Sequence, residues 1–188
     1  MKHRLFLAID IPPEVTQPIV SLQQSLERLG QPVIWEPEEK LHLTLNFLGK
    51  VDSDQHTSIV RIISATASQT TGFSLKPAFL ETLYKKHETS YIYLDVSGQL
   101  DLLNELQEKL SDGFSRMLIA QPRKYLPHIT VGKLKKMDPV MTKSVLQRFG
   151  DMEAPVFPEF FVNHLTLYES LLSRAGSHYQ KVDTFRLG

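Results

Sequence analysis

The feature that most constrains this chain is a pair of alternating segments, one in each half. In Leu41–Leu48 apolar and polar residues alternate, and Gly49 closes the run. On a strand, residues i and i+2 share a face. Leu41, Leu43, Leu45 and Phe47 therefore form an unbroken apolar face, expected against a core, while His42, Thr44 and Asn46 share the opposite, polar face. Leu126–Leu134 repeats the design, with Ile129 and Val131 toward the core and His128 and Thr130 away from it. Side by side, two such strands present two imidazoles and two hydroxyls to one cleft. A helical pattern follows each of them, a faint internal echo.

The rest of the chain supplies helices and more strands. Arg4–Ile11 reads as a strand stopped by Pro12 and Pro13. Pro13–Leu29 reads as a helix, with Val15, Ile19, Leu22, Leu26 and Leu29 at helical spacing and Gly30 as its stop. Val33–Trp35 is a short strand. Asp52–Ser68 and Gln99–Phe114 are amphipathic helices, the first capped by Asp52 or Ser53, the second with Leu102, Leu103, Leu106 and Leu110 on its core face. Phe73–Leu83 and Ser90–Val96 are strands around the polar turn Lys85–Thr89. Pro139–Phe149 reads as a short helix, and Phe160–Tyr168 with Tyr179–Phe185 as a closing pair of strands. This order is α+β: antiparallel sheets with helices on the outside. With 188 residues and no linker composition, one domain spanning 1–188 is expected.

Composition narrows the chemistry. The chain has no cysteine, which excludes disulfides, cysteine-ligated zinc and thiolate catalysis. Lys+Arg and Asp+Glu both number 21, so broad coating of nucleic acid is disfavoured and a charged ligand needs a local site. No apolar run is long enough for a bilayer and the N-terminus is no convincing signal peptide, so a cytoplasmic monomer without membrane contact is expected. No nucleotide-binding glycine motif or zinc-protease helix motif occurs.

His-x-Thr appears three times, at His42–Thr44, His128–Thr130 and His164–Thr166. An imidazole gives or takes a proton near neutral pH. Two of them on opposite sides of a phosphorus centre can serve as acid and base, and threonine hydroxyls can donate to non-bridging oxygens. Any single copy is easily a plain β-strand. Gly49-Lys50 follows the first copy and Gly132-Lys133 the second, whereas the third runs into Tyr168-Glu169 and reads as structural.

These blocks carry a resemblance. Arg4–Pro12, Leu41–Gly49, Pro127–Val131 and Leu165–Ser170 with Gly176 and Tyr179 resemble, in order and spacing, the RNA 2′,3′-cyclic phosphodiesterases of the LigT-like 2H phosphoesterases, also called 2′-5′ RNA ligases. The resemblance implies a two-lobed α+β fold with a pseudo-two-fold axis and a cleft between the lobes. It implies metal-independent hydrolysis of an RNA terminal 2′,3′-cyclic phosphate to a 2′-phosphate, with no cofactor. It implies His42 as proton donor to the leaving 3′ oxygen, His128 as base on water, and Thr44 and Thr130 on the phosphate. The partner implied is RNA with a 2′,3′-cyclic phosphate end, tRNA-derived ends included.

Two positions depart from the family. Lys133 stands where an arginine is frequent, and lacks the bidentate fork. Strict alternation turns Lys133 away from His128, so a bulge or strand end at Gly132 must re-aim it. Asn46 stands where a basic residue is common. Phe6, Trp35, Asn46 and Tyr168 are candidate base or cleft contacts, with core or rim packing the plainer role for Phe6 and Trp35. Arg123, Lys124, Lys133, Lys135 and Lys136 form a local basic cluster suited to an RNA backbone. Two other readings stay open: a non-catalytic module that binds RNA ends, and an enzyme acting on a small cyclic nucleotide or ligating 2′-5′ ends.

Overall fold

The computed structural model describes residues 2–30, 32–83, 90–119, 121, 124–134, 144, 147, 149, 155–173 and 176–188. The elements run β1 (Lys2–Asp10), α1 (Pro13–Glu27), β2 (Val33–Trp35), β3 (His42–Asp52), α2 (His56–Ser68), β4 (Phe73–Leu83), β5 (Ser90–Gly98), α3 (Leu100–Arg116), β6 (His128–Leu134), β7 (Phe160–Val162), β8 (His164–Ser173) and β9 (Gly176–Arg186). The helices form where the spacing predicts them, except that α1 stops at Glu27, so Leu29, expected on its core face, lies in the following turn and is exposed. Val15, Ile19, Leu22 and Leu26 are buried on α1, Ile59, Ile63 and Ala67 on α2, and Leu103, Leu106, Leu110 and Phe114 on α3. Before α2 a 3₁₀ turn, Ser53–Gln55, carries the reciprocal cap between Asp52 and Gln55. The expected turn at 85–89 and most of the expected helix at 139–149 lie outside the described residues, as do Arg123, Lys135 and Lys136.

The described strands form one antiparallel sheet in the order β7-β4-β5-β6-β3-β1-β8-β9, with β2 added to β6. The order is symmetric about the β6/β3 seam. On one side β1, α1 and β3 make a unit, and on the other β5, α3 and β6 repeat it. The seam itself is narrow: Leu43 opposite Ile129, both fully buried. Beyond it the two halves diverge and leave a cleft. Phe160–Tyr168, expected as one strand, is two strands, β7 at one end of the sheet order and β8 next to the other end, separated by Asn163 alone. The sheet must therefore curl until its ends meet there, and the Leu187 N–H closes the corner on the Asn163 carbonyl at 2.8 Å.

Each motif strand carries an extra residue at the same place. In β3, Leu7 lies opposite Asn46 but Ala8 lies opposite Thr44, so Leu45 is the bulge. In β6, Ile92 lies opposite Gly132 but Tyr93 lies opposite Thr130, so Val131 is the bulge. Buried glutamines serve both bulges. Gln107 of α3 donates to the Leu45 carbonyl at 3.5 Å, and Gln23 of α1 donates to the Val131 carbonyl at 2.8 Å. A buried carbonyl left without a donor costs about 1–3 kcal/mol, which is the physical reason for Gln107 on α3. The Val131 carbonyl also accepts the Glu36 N–H at 3.0 Å, and Gln23, which donates to the Glu36 carbonyl too, ties the bulge to the end of β2.

Candidate active site

The two histidines are held alike. Pro37 and the 3₁₀ turn Glu38–Lys40 lead into β3 and bring the Lys40 carbonyl to 2.6 Å from His42 Nδ1. In the other half the Leu126 carbonyl lies 2.8 Å from His128 Nδ1. A carbonyl only accepts, so Nδ1 carries the proton in both rings, and in the neutral form Nε2 keeps its lone pair. The Thr44 hydroxyl donates to His42 Nε2 at 2.9 Å. Across the ladder, Asp10 stands opposite His42 and Asp95 opposite His128.

The surroundings of His42 are aromatic. Phe6 lies 5.1 Å from its ring, and Tyr179 meets it edge-on at 5.5 Å. Burial pushes the His42 pKa below the ordinary imidazole value. The Lys40 carbonyl and the charges of Glu36 and Asp10 oppose that shift without overcoming it, and His128 adds to it. Tyr93 packs edge-on to His128 at 5.3 Å.

His42, Thr44, His128, Thr130 and Lys133 all line one cleft of about 400 Å³, within the size range of small-ligand sites. The bulge at Val131 turns Lys133 onto the side of His128, as the sequence required of any role for it. There Lys133 pairs with Glu36. Burial pulls its pKa down, but the hydrogen bond and charge of Glu36 more than offset this, and the amine stays charged. Among the described residues no group of three or more His, Asp or Glu is placed to hold a metal ion.

The family model of the 2′-5′ RNA ligase superfamily matches residues 11–174. The chain belongs to this superfamily. An RNA 2′,3′-cyclic phosphodiesterase of Methanocaldococcus jannaschii is 28% identical over 95% of this chain and 98% of its own length. One of Thermotoga maritima is 28% identical over 94% and 91%. In structure the chain is similar to Escherichia coli LigT, with a TM-score of 0.79 at 21% identity, covering 100% of this chain and 99% of LigT. TT0787 of Thermus thermophilus gives 0.80 at 22%, covering 98% and 97%. The two-lobed 2H phosphoesterase fold is thus the fold of this superfamily member.

Within that fold several expected contacts are relocated. Asn46 does not face the cleft. The Leu45 bulge turns it to the core, where it is 1% exposed and donates to Ser111 Oγ and Gln121 Oε1, each at 2.8 Å. The same bulge brings Phe47, expected in the core, to the cleft, where it is 64% exposed. Trp35 faces away from the cleft: opposite Gly132, its ring lies over that glycine and 6.3 Å from Phe149. Tyr168 stacks behind Phe6 at 5.2 Å rather than on the cleft wall, and its hydroxyl donates to Asp10 at 2.6 Å. Phe6 is both buried and cleft-lining.

The third His-x-Thr also ends on Asp10. Thr166 donates to that carboxylate at 3.1 Å and His164 Nε2 lies at 3.5 Å, beside Lys181 at 2.7 Å. Burial pushes the Asp10 pKa up, but Lys181, Tyr168 and Thr166 outweigh it and hold it below the usual carboxylate value. Tyr179, read from the sequence as a closing-sheet residue with a cleft role open to it, does line the cleft, whereas sequence reasoning missed Phe47, Glu36 and Tyr91 there. Tyr91 was accessible to alternation in β5, but Phe47 was not, because only the bulge exposes it.

The Gly-Lys pairs after the two motifs are not equivalent either. Residue for residue from each histidine, Gly132 occupies the place of Asn46, and Lys133 that of Phe47. Gly49 lies three positions farther along and has φ +70°, which favours glycine.

Proposed function

We propose that this chain hydrolyses the 2′,3′-cyclic phosphate at an RNA end to a 2′-phosphate, using His42 and His128 and no metal ion. The observation that carries the reading is the repeated anchoring of two imidazoles by a carbonyl two residues upstream, which aims two Nε2 atoms and two threonine hydroxyls into one cleft. The curated relatives named RNA 2′,3′-cyclic phosphodiesterase support it over nearly the whole chain. His128 Nε2 takes a proton from water as the water oxygen forms a bond to phosphorus. The bond from phosphorus to the 3′ oxygen breaks, and His42 Nε2 delivers a proton to that oxygen. Exchange with solvent then resets both rings.

Because burial keeps His42 neutral in the free protein, it takes up its proton as the phosphate anion arrives beside it. A charged His42 donates from Nε2 to Thr44, which turns the Thr44 hydroxyl toward a non-bridging oxygen. Thr130 serves a second oxygen, and Lys133 offsets the charge that builds in the transition state. One chain supplies all of these groups.

The test is product analysis on an oligoribonucleotide with a 2′,3′-cyclic phosphate. A 2′-phosphate product is expected, lost by at least about 10³-fold in His42→Ala and in His128→Ala and insensitive to EDTA. Full activity in either variant, or loss with EDTA, overturns the reading. Tight binding without turnover selects the non-catalytic alternative.

A further inference from the structure

Arg4 and Lys50 stand directly opposite each other where β1 pairs with β3. Opposed residues of an antiparallel pair project from the same face, with Cβ atoms about 4.5–5.5 Å apart, and like charges there repel. Both residues are exposed. Among the described residues no carboxylate forms an ion pair with either. The acid nearest on that face, Asp52, pairs with Lys2 at 3.9 Å. Glu169 lies opposite Leu5, on the other face, and bonds to His3 at 2.8 Å. A bare pair of cations on a ladder is a local cost to the fold that an anionic ligand removes.

Its position says which anion. Arg4 shares its face with Phe6, two residues along the strand, and Phe6 packs on His42. Two strand residues advance about 6.8 Å, the scale of one nucleotide step. Arg4 and Gly49 both border the cleft, at the end away from Lys133 and Glu36. From the reacting centre outward the face therefore presents His42 and Thr44, then Phe6 and the exposed Phe47, then Arg4 and Lys50. Phe47 offers a ring on which a terminal base can stack. The cleft has room for about one nucleotide, so the phosphodiester that precedes the terminal nucleotide must leave it at the mouth, where these two cations stand.

We infer that Arg4 and Lys50 form a second phosphate subsite that takes the phosphodiester on the 5′ side of the terminal nucleotide, which makes RNA strand ends, rather than mononucleotide cyclic phosphates, the preferred substrate. The inference rests on the reading of the cleft as a cyclic-phosphate site.

The experiment compares kcat/KM on an oligoribonucleotide bearing a 2′,3′-cyclic phosphate with kcat/KM on adenosine 2′,3′-cyclic phosphate, for the unaltered protein and for the Arg4→Gln/Lys50→Gln double variant. The ratio of oligonucleotide to mononucleotide activity is expected to exceed one and to fall about tenfold in the variant, with a shallower salt dependence on the oligonucleotide. Thermal melting without RNA reports on folding, and the variant is expected to melt no lower, since it loses a repulsion. A ratio that is unchanged, or equal losses on both substrates, overturns the subsite. An unaltered protein that hydrolyses neither substrate overturns the reading of the cleft, and the subsite with it.

Discussion

Gly132→Ala tests how the second motif strand is held. Gly132 sits in the strand just after the Val131 bulge, and its φ is not in the left-handed region, so alanine is conformationally allowed. On an open strand the change would gain up to about 0.5–1 kcal/mol from the unfolded chain. Here an added Cβ would lie 2.9 Å from Trp35 Cε3 and 2.9 Å from Val33 Cγ1, with Trp35 Cζ3 at 3.2 Å. Both neighbours belong to β2, which pairs with β6 at this point, and the indole is in turn packed toward Phe149. Neither contact is the free end of a flexible chain. Overpacking of this kind costs about 1–3 kcal/mol, so a net loss of about 1–2 kcal/mol is expected, read as a lower urea midpoint at unchanged slope. Activity should fall too, because β2 runs into Glu36, the partner of Lys133. In a Val33→Ala/Trp35→Ala background the same substitution should become neutral or slightly stabilising. A loss under about 0.3 kcal/mol in the native background, or an equal loss in both backgrounds, would refute the steric account.

His42 should titrate below its ordinary value of 6.5 in the free protein, read by NMR of the ring against the His42→Ala spectrum. Between that depressed value and 6.5 the unfolded chain holds more protons than the folded one. The group's contribution to stability is therefore present above pH 6.5 and lost as pH falls through the depressed value. A nucleoside 2′-phosphate in the cleft should raise the midpoint; a midpoint at or above 6.5 without ligand contradicts the burial argument. Asn46→Ala should lower stability by about 1–3 kcal/mol, since Ser111 and Gln121 lose their buried partner. Its kcat/KM should change by less than about threefold, because the side chain lies behind the strand; a loss of catalysis without a loss of stability would put Asn46 back in the cleft.

The sequence by itself determined the parts governed by local rules. Helical spacing fixed the buried faces of α1, α2 and α3, and period-two alternation set Leu43 and Ile129 toward the core with His42, Thr44, His128 and Thr130 on the other side. The resemblance carried by the spaced motifs was enough to name the fold. Alternation failed just past each threonine, and the failure has one cause. A bulge adds a residue that the ladder does not pair, so the side chains that follow it change face: Asn46 goes in, Phe47 comes out, and Lys133 turns to the cleft, until in β3 a second extra residue, Leu48, restores the alternation. The sequence marks such a bulge only indirectly, through a glutamine on an apolar helix face far along the chain, and Gln23 and Gln107 became legible as its partners once the helices were packed on the sheet. The third His-x-Thr shows the same division. The missing Gly-Lys marks its residues as structural, but what they hold is set by the curl of the sheet, which brings β8 beside β1, where they bind Asp10 instead of facing the cleft. Local periodicity decides which residues are alike; which of them meet is decided by pairings between strands far apart in the chain, such as Leu43 with Ile129 and Ala8 with Thr166, and no local pattern encodes that.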